Sequence, residues 1–246
     1  MKIVVIGGTG LIGSKLVARL SEHGHDAVPA APSTGVDTLT GKGVKKVLQA
    51  VDVVVDVSNS PSFADDDVME FFRTSTTNLL DAAREAAVEH YVALSVVGTE
   101  RLPESGYFRA KAAQEELIKG SGLPYSLVHA TQFFEFAGAI ADSATDTGKV
   151  RLPGAALQPM AADDVAAAVG ETAAGAPLNS TVEVAGPEVF GLDQWIGIVL
   201  TSRHDPREVI TDPQARYFGT VPDRELLPSA GARLAQTRLS EWLTRQ

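Results

Sequence analysis

Met1-Lys-Ile-Val-Val-Ile-Gly-Gly-Thr-Gly-Leu-Ile-Gly13 opens the chain, and its reading decides the fold. Ile3 to Ile6 is a continuous apolar run, the pattern of a strand buried on both faces of a parallel sheet. Glycines follow at 7, 8, 10 and 13, and then Leu16, Val17 and Leu20 recur at helical spacing. Strand, glycine turn and helix are the context that the G-x-G-x-x-G fingerprint requires, here Gly8-x-Gly10-x-x-Gly13. The first glycines permit a tight turn, Gly10 lets a diphosphate approach the backbone, and Gly13 lets helix and strand pack closely. The helix start adds unpaired N–H groups and the positive end of its dipole. The stretch Gly7, Gly8, Thr9, Gly10, Leu11, Ile12, Gly13 is therefore expected to hold a diphosphate.

The remaining 233 positions fit one α/β domain, and 44% hydrophobic with 21% charged residues is ordinary for a globular chain. No apolar run is long enough to span a membrane. The first strand begins at once, leaving no room for a signal peptide, so a cytoplasmic protein is expected. The absence of cysteine excludes disulfides, thiol catalysis and cysteine-ligated metal. A net charge of −10 speaks against nucleic acid as a partner. The five histidines are scattered without metal-ligand spacing, and Asp65-Asp66-Asp67 reads as the acidic first turn of a helix, so no metal is expected. G-x-S-x-G and the Walker lysine are both missing.

His25 to Ala31 reads as the second strand, and Pro32 to Gly35 turns the chain. No acid ends that strand to take the ribose hydroxyls of NAD; Ser33 and Thr34 stand there instead. Their hydroxyls could donate to a 2′-phosphate or simply make the turn. The missing acid favours NADP over NAD. Val36-Asp37 reads as the start of a short strand, Val44 to Ala50 as a helix, and Val51 to Val57 as a buried strand. The strand end brings Ser58 and Asn59 to the cofactor side. A helix to about His90 and a strand from Tyr91 to Val97 follow, the strand delivering Ser95 near its end.

Tyr107 and Lys111 then share one face of a helix running to Lys119. Together with Ser95 they suit hydride chemistry at a carbonyl. The ammonium would draw the phenol towards the working pH range, and the serine would hold the substrate oxygen. Leu123 to His129 reads as a strand and leads into Thr131-Gln-Phe-Phe-Glu-Phe136. A substrate pocket is expected from Val97, His129, Gln132, Phe133 and Phe136, although the phenylalanines suit an ordinary core equally well. Further on, a helix over 137–147 and a strand over 150–152 precede an alanine-rich helix that Asp163-Asp164 would cap. A strand over 182–185, a helix over 192–200 and a strand over 208–211 complete the pattern, with an amphipathic tail at Leu239, Trp242 and Leu243.

On these residues the chain resembles the short-chain dehydrogenase/reductase superfamily, and most closely its atypical branch of NmrA-like and sugar-epimerase-related NAD(P)-binding proteins. The resemblance runs from GGTGLIG through Asp37, the Asp52–Val55 strand, Leu94–Gly98, Tyr107, Lys111 and Leu127–Phe136 to Asp163–Ala166. It implies a Rossmann-type doubly wound parallel sheet over residues 1–246, with residues from about 130 onward adding a small substrate-binding region. It also implies the cofactor on Gly7 to Ile12, Asp37 near the adenine, and Ser95, Tyr107 and Lys111 at the catalytic positions. Pro32 stands where relatives often carry a basic residue, and His129 where they carry an arginine. The leading expectation is an NAD(P)H-dependent oxidoreductase of a small-molecule carbonyl or alcohol. A non-catalytic NADP-binding sensor and a sugar-nucleotide epimerase or dehydratase are the alternatives. No membrane partner is expected, and long helices flanking such a sheet suit a homodimer.

Overall fold

A computed structural model describes all residues 1–246. The elements in chain order are β1 (Lys2–Ile6), α1 (Leu11–Glu22), β2 (Asp26–Ala30), α2 (Val44–Val47), β3 (Val53–Asp56), α3 (Asp65–Glu85) and β4 (His90–Val96). They continue with α4 (Gly106–Lys119), β5 (Tyr125–Ala130), α5 (Ala137–Ser143), β6 (Thr145–Asp146), β7 (Lys149–Leu152), β8 (Ala156–Leu157) and α6 (Ala162–Ala174). The chain closes with β9 (Ser180–Ala185), β10 (Phe190–Gly191), α7 (Leu192–Ser202), β11 (Glu208–Thr211), β12 (Arg233–Leu234) and α8 (Leu239–Leu243).

Seven strands form one parallel sheet in the order β12-β9-β5-β4-β3-β1-β2. The alternation along β1 sorts its side chains between two layers. Ile3 and Val5 pack with Ile12, Leu16 and Leu20 of α1 and with Val165 and Val169 of α6. Val4 and Ile6 pack on the opposite face with Leu79, Leu80 and Ala83 of α3 and Ile118 of α4. Both faces of the sheet are thus covered, which is why β1 and β3 read as unbroken apolar runs. β1 is flanked by β2 and β3, so the chain reverses its direction of winding there and leaves a crevice beyond the strand ends.

Residues after about 130 build a further core around Phe134, Trp195, Leu226 and Trp242, fed by α5, α7, α8 and the tail. A small sheet of β6, β7 and β11 and the β8–β10 pair edge this region. No helix is long and apolar enough to cross a membrane.

Three local expectations are corrected. Val36-Asp37 forms no strand: a 3-10 turn over Pro32–Thr34 ends on Gly35 at φ 84°, and Asp37 N–H bonds back to the Lys42 carbonyl instead of a neighbouring strand. The helix after Ala137 stops at Ser143, because Thr145-Asp146 pairs with β7. Asp163 and Asp164 lie in the first turn of α6 but do not cap it; Ala161 is the cap residue, and Glu135, from the 3-10 turn after β5, accepts the Ala162 N–H at 3.0 Å. Asp163 pairs with Lys15 at 2.8 Å, while Asp164 accepts the Thr237 N–H. The acids at Asp65 and Asp67 sit in the first turn of α3, engaged by Arg109 and Ser62 respectively.

Candidate active site

A cavity of about 690 Å3 lies at the carboxyl ends of β1 to β5, within the size range of small-molecule sites. One end is made by Ala31, Pro32 and Asp37 to Leu39, beyond β2. Its middle is Gly7, Thr9, Gly10, Leu11 and Ile12, with Val57, Ser58 and Asn59 across the crevice. The far end, beyond β4 and β5, holds Ser95, Lys111, Gln132 and a set of aromatic rings.

The glycine turn is tight for reasons that the backbone makes explicit. Gly7 takes φ 76°, and a Cβ there would stand 2.9 Å from the Ser58 backbone. A Cβ on Gly13 would come within 2.1 Å of the Gly7 carbonyl oxygen, and one on Gly8 within 2.6 Å of the Val5 oxygen. Gly8 and Gly13 therefore shape the turn from behind and do not line the cavity. Gly10 is the N-cap of α1 and brings no side chain to its first N–H groups, which remain available to an anion. A dinucleotide would suit these residues, with its diphosphate on Gly7 to Ile12, its adenosine towards Asp37 and its nicotinamide towards Ser95 and Lys111.

The two hydroxyls expected at a 2′-phosphate do not reach the cavity. Thr34 Oγ1 donates to the Ala31 carbonyl and accepts the Ala31 N–H, both at 2.9 Å, which closes its own turn. Ser33 Oγ lies outside the cavity, 3.5 Å from Thr9 Oγ1. This withdraws the support for a phosphate at that place. Asp37 does line it, accepting the Leu39 and Thr40 N–H groups; the Thr40 N–H, foremost, holds its carboxyl below the ordinary range.

Tyr107, Lys111 and Ser95 all open onto the far end, yet they do not work on one another as the spacing suggests. Lys111 Nζ turns towards the sheet. It donates to the Leu94 carbonyl at 2.9 Å and to Gln114 Oε1, and lies 4.4 Å above the Phe72 ring. Burial draws Lys111 down to about 8 against the opposing pull of Asp56 and Glu115. Gln114 passes the contact on to Asp56, which also receives Tyr91 and Ser58. Tyr107 lies among Phe63, Phe72, Phe108 and Phe218, with Phe218 stacked on it at 5.1 Å. Burial raises its phenol well above the ordinary range, and the lysine does not bring it down. The expected lowering is corrected: an ammonium held by a carbonyl and a carboxamide on its own side is not aimed at the phenol.

Ser95 also faces an unexpected partner. Its hydroxyl donates to Glu115 Oε1 at 2.6 Å, and His129 Nε2 stands 2.8 Å from the same oxygen. Lys119 reaches the other carboxylate oxygen at 3.3 Å. Burial alone would raise Glu115, but His129, Ser95 and Lys119 outweigh it and bring the carboxyl to about 2. His129 thus belongs to this buried pair and not to the cavity wall, and Val97 is wholly buried away from it. Gln132, Phe133 and Phe136 do line the cavity.

Residues outside the expected set are Glu115, Phe71, Tyr217 and Phe218. Glu115 was within reach of the sequence, since Tyr107, Lys111 and Glu115 follow at steps of four on one helix face. Tyr217 and Phe218 arrive from a tail more than a hundred residues away, and no local pattern marks them.

Residues 7–174 match the NAD(P)H-binding domain family. The chain belongs to that family. Among curated proteins, this NAD(P)H-binding chain is 25% identical over 149 residues to a photosystem II assembly factor of Cyanophora paradoxa, covering 55% of this chain and 46% of that one. It is 25% identical over 170 residues to an isoflavone reductase homolog of Nicotiana glauca, covering 55% and 49%. The chain spans about half the length of these relatives. Among solved structures, a dTDP-glucose 4,6-dehydratase of Streptomyces venezuelae with NAD bound superposes with TM-score 0.77 at 16% identity, covering 100% of this chain and 95% of that one. An NADPH-dependent quinone oxidoreductase of Escherichia coli gives 0.67 at 19% identity, covering 85% and 77%. At these identities the shared feature is the fold, a Rossmann-like parallel sheet.

Proposed function

We propose that this NAD(P)H-binding protein is a reductase of apolar, ring-bearing carbonyl compounds, with Tyr107 as the proton donor. The observation that carries the reading is that Ser95, Tyr107 and Lys111 open onto the same cavity as the glycine loop. The bound cofactor supplies hydride. Gly7 to Ile12 hold its diphosphate, and Lys111 keeps a polar contact at the centre of an otherwise greasy wall. Tyr107 is held as a neutral phenol by its aromatic surroundings. A neutral phenol can give its proton to the oxygen of a reduced carbonyl, whereas drawing a proton from an alcohol needs the phenolate. The direction supported at neutral pH is reduction.

Phe71, Tyr107, Phe133, Phe136, Tyr217 and Phe218 make the far end a surface for an uncharged ring. Lys111 is the single lysine or arginine in the lining, so no second cation is at hand for the diphosphate of a sugar nucleotide. That favours the reductase over an epimerase or dehydratase, despite the likeness in fold. The names of two similar proteins, a quinone oxidoreductase and an isoflavone reductase homolog, agree with a ring-bearing substrate.

The test is oxidation of NADH and NADPH with a panel of quinones, aromatic aldehydes and aromatic ketones. Turnover is expected, and Tyr107→Phe is expected to lower kcat about 100-fold with cofactor affinity unchanged. Turnover that survives Tyr107→Phe would remove the tyrosine from its role. A cofactor-binding regulator is the second reading, favoured by the missing contact between Lys111 and the phenol. It would be upheld by tight binding of one redox form and no turnover across the panel.

The adenosine end bears on which cofactor is used. Asp37 lines it and no lysine or arginine does, so a 2′-phosphate would meet a carboxylate without a cation. We expect calorimetry to show tighter binding of NADH than of NADPH. The reverse order would return the 2′-phosphate to the neighbourhood of Ser33 and Thr34.

A further inference from the structure

Gln132 is 7% exposed and lines the far end of the cavity, and its Oε1 is buried without a hydrogen-bond partner. Of the other two buried glutamines, Gln114 is engaged at both ends by Lys111 and Asp56, and Gln158 donates from Nε2 to the Gly186 carbonyl. Unpaired buried atoms at Thr76, His90, Ser105 and Trp195 lie away from the cavity, whereas Gln132 Oε1 belongs to a residue of its wall. A buried carbonyl oxygen left unpaired is costly, so one beside a ligand cavity points to a donor on the ligand.

The position of Gln132 is rigidly set. Thr131 N–H bonds the Val184 carbonyl, the Met160 N–H bonds the Gln132 carbonyl, and the Phe134 N–H bonds the Met160 carbonyl. Three side-chain donors of this region are already engaged. Thr131 Oγ1 donates to Gln158, Ser95 to Glu115, and Lys111 to Leu94 and Gln114. The strand order places Gln132, just after β5, across β1, β3 and β4 from the Asp37 end. A dinucleotide with its diphosphate on the glycine loop brings its nicotinamide to the Gln132 end and its adenine to the other. The one amide N–H donor that such a cofactor carries at this end is the ring carboxamide.

We propose that Gln132 reads the nicotinamide carboxamide, its Oε1 accepting a hydrogen bond from the amide nitrogen of the ring. The assignment rests on the cofactor orientation given under the proposed function. Gln132 thereby becomes a cofactor-binding residue and not a substrate contact, and it sets the rotation of the ring about its glycosidic bond.

The experiment is calorimetry of the full chain with three probes. NAD+ carries the carboxamide, its 3-acetylpyridine analogue has a methyl in place of the amide nitrogen, and ADP-ribose lacks the ring. The wild type is expected to bind NAD+ about tenfold more tightly than the acetylpyridine analogue. Gln132→Leu should weaken NAD+ about tenfold and leave the other two unchanged, so that the preference disappears. Gln132→Glu, which retains an acceptor at the same reach, should keep the preference. Equal weakening of all three probes by Gln132→Leu would overturn the proposal in favour of a structural role. An NAD+ affinity indifferent to Gln132→Leu would overturn it too, and would leave the oxygen to a substrate. If the wild type bound none of the probes, the cofactor reading itself would fall, a result distinct from either of these.

Discussion

Gly13→Ala is expected to abolish cofactor binding and to lower the melting temperature by on the order of 10 °C. The added methyl would stand 2.1 Å from the Gly7 oxygen and 2.6 Å from Gly8 Cα. Both neighbours are backbone, so no rotamer change can relieve the contact. The glycine turn must lift off the start of α1, and that junction is where the diphosphate meets the helix N–H groups. A loss of binding greater than about 100-fold follows from misplacing several such donors together. Gly24→Ala is the control: Gly24 also has a positive φ, 81°, but nothing lies within 4 Å of its Cβ position. It should cost about 1 kcal/mol and leave binding intact. Comparable NADH affinity in Gly13→Ala and Gly24→Ala would show that close packing at Gly13 is not what the site depends on.

Glu115→Gln is expected to cost roughly 3 kcal/mol at neutral pH, and the deficit should fade in acid. The Glu115 carboxyl titrates near about 2 in the folded chain, below its ordinary 4.5. A carboxyl lowered on folding stabilises the fold fully above its unfolded value and loses that contribution as the pH falls through the folded one. The window is therefore from about 4.5 down to about 2. Urea unfolding of wild type and Glu115→Gln at pH 7, 4 and 3 measures it. The two curves should lie far apart at pH 7 and have closed more than half of the gap by pH 3. A constant separation would mean that the carboxylate is not the linked group. Glutamine keeps an acceptor oxygen for the Ser95 hydroxyl, so the variant removes the charge while the Ser95 contact can persist.

How much of this was legible beforehand follows from the range over which each feature is encoded. The glycine turn, β1 and α1 lie within 22 residues and are governed by local sterics, so the motif identified fold and diphosphate site together. Strand β11 spans Glu208 to Thr211, as its local pattern predicts. Val36-Asp37 misleads because a β-like pair of residues forms a strand only if a partner edge is present. Here the 3-10 turn at Pro32–Thr34 leads the backbone into a loop closed on Lys42.

The candidate site divides along the same line. Tyr107, Lys111 and Ser95 could be found from spacing, since strand ends and helix faces put them beyond the sheet. Their mutual electrostatics could not be found that way. The direction of an ammonium or a hydroxyl depends on which acceptor lies nearest in space. For Lys111 these are Leu94 and Gln114, and for Ser95 it is Glu115. The sequence alone determined that the chain folds as a doubly wound sheet with a dinucleotide turn, because period, glycine spacing and burial are local or repeating signals. Only the tertiary structure decided that Phe218 covers Tyr107, that Thr34 closes its own turn, and that Gln132 is left with an unpaired oxygen in the cavity wall. Each of those depends on packing between segments distant in sequence, where the competition among acceptors and the exclusion of water are settled.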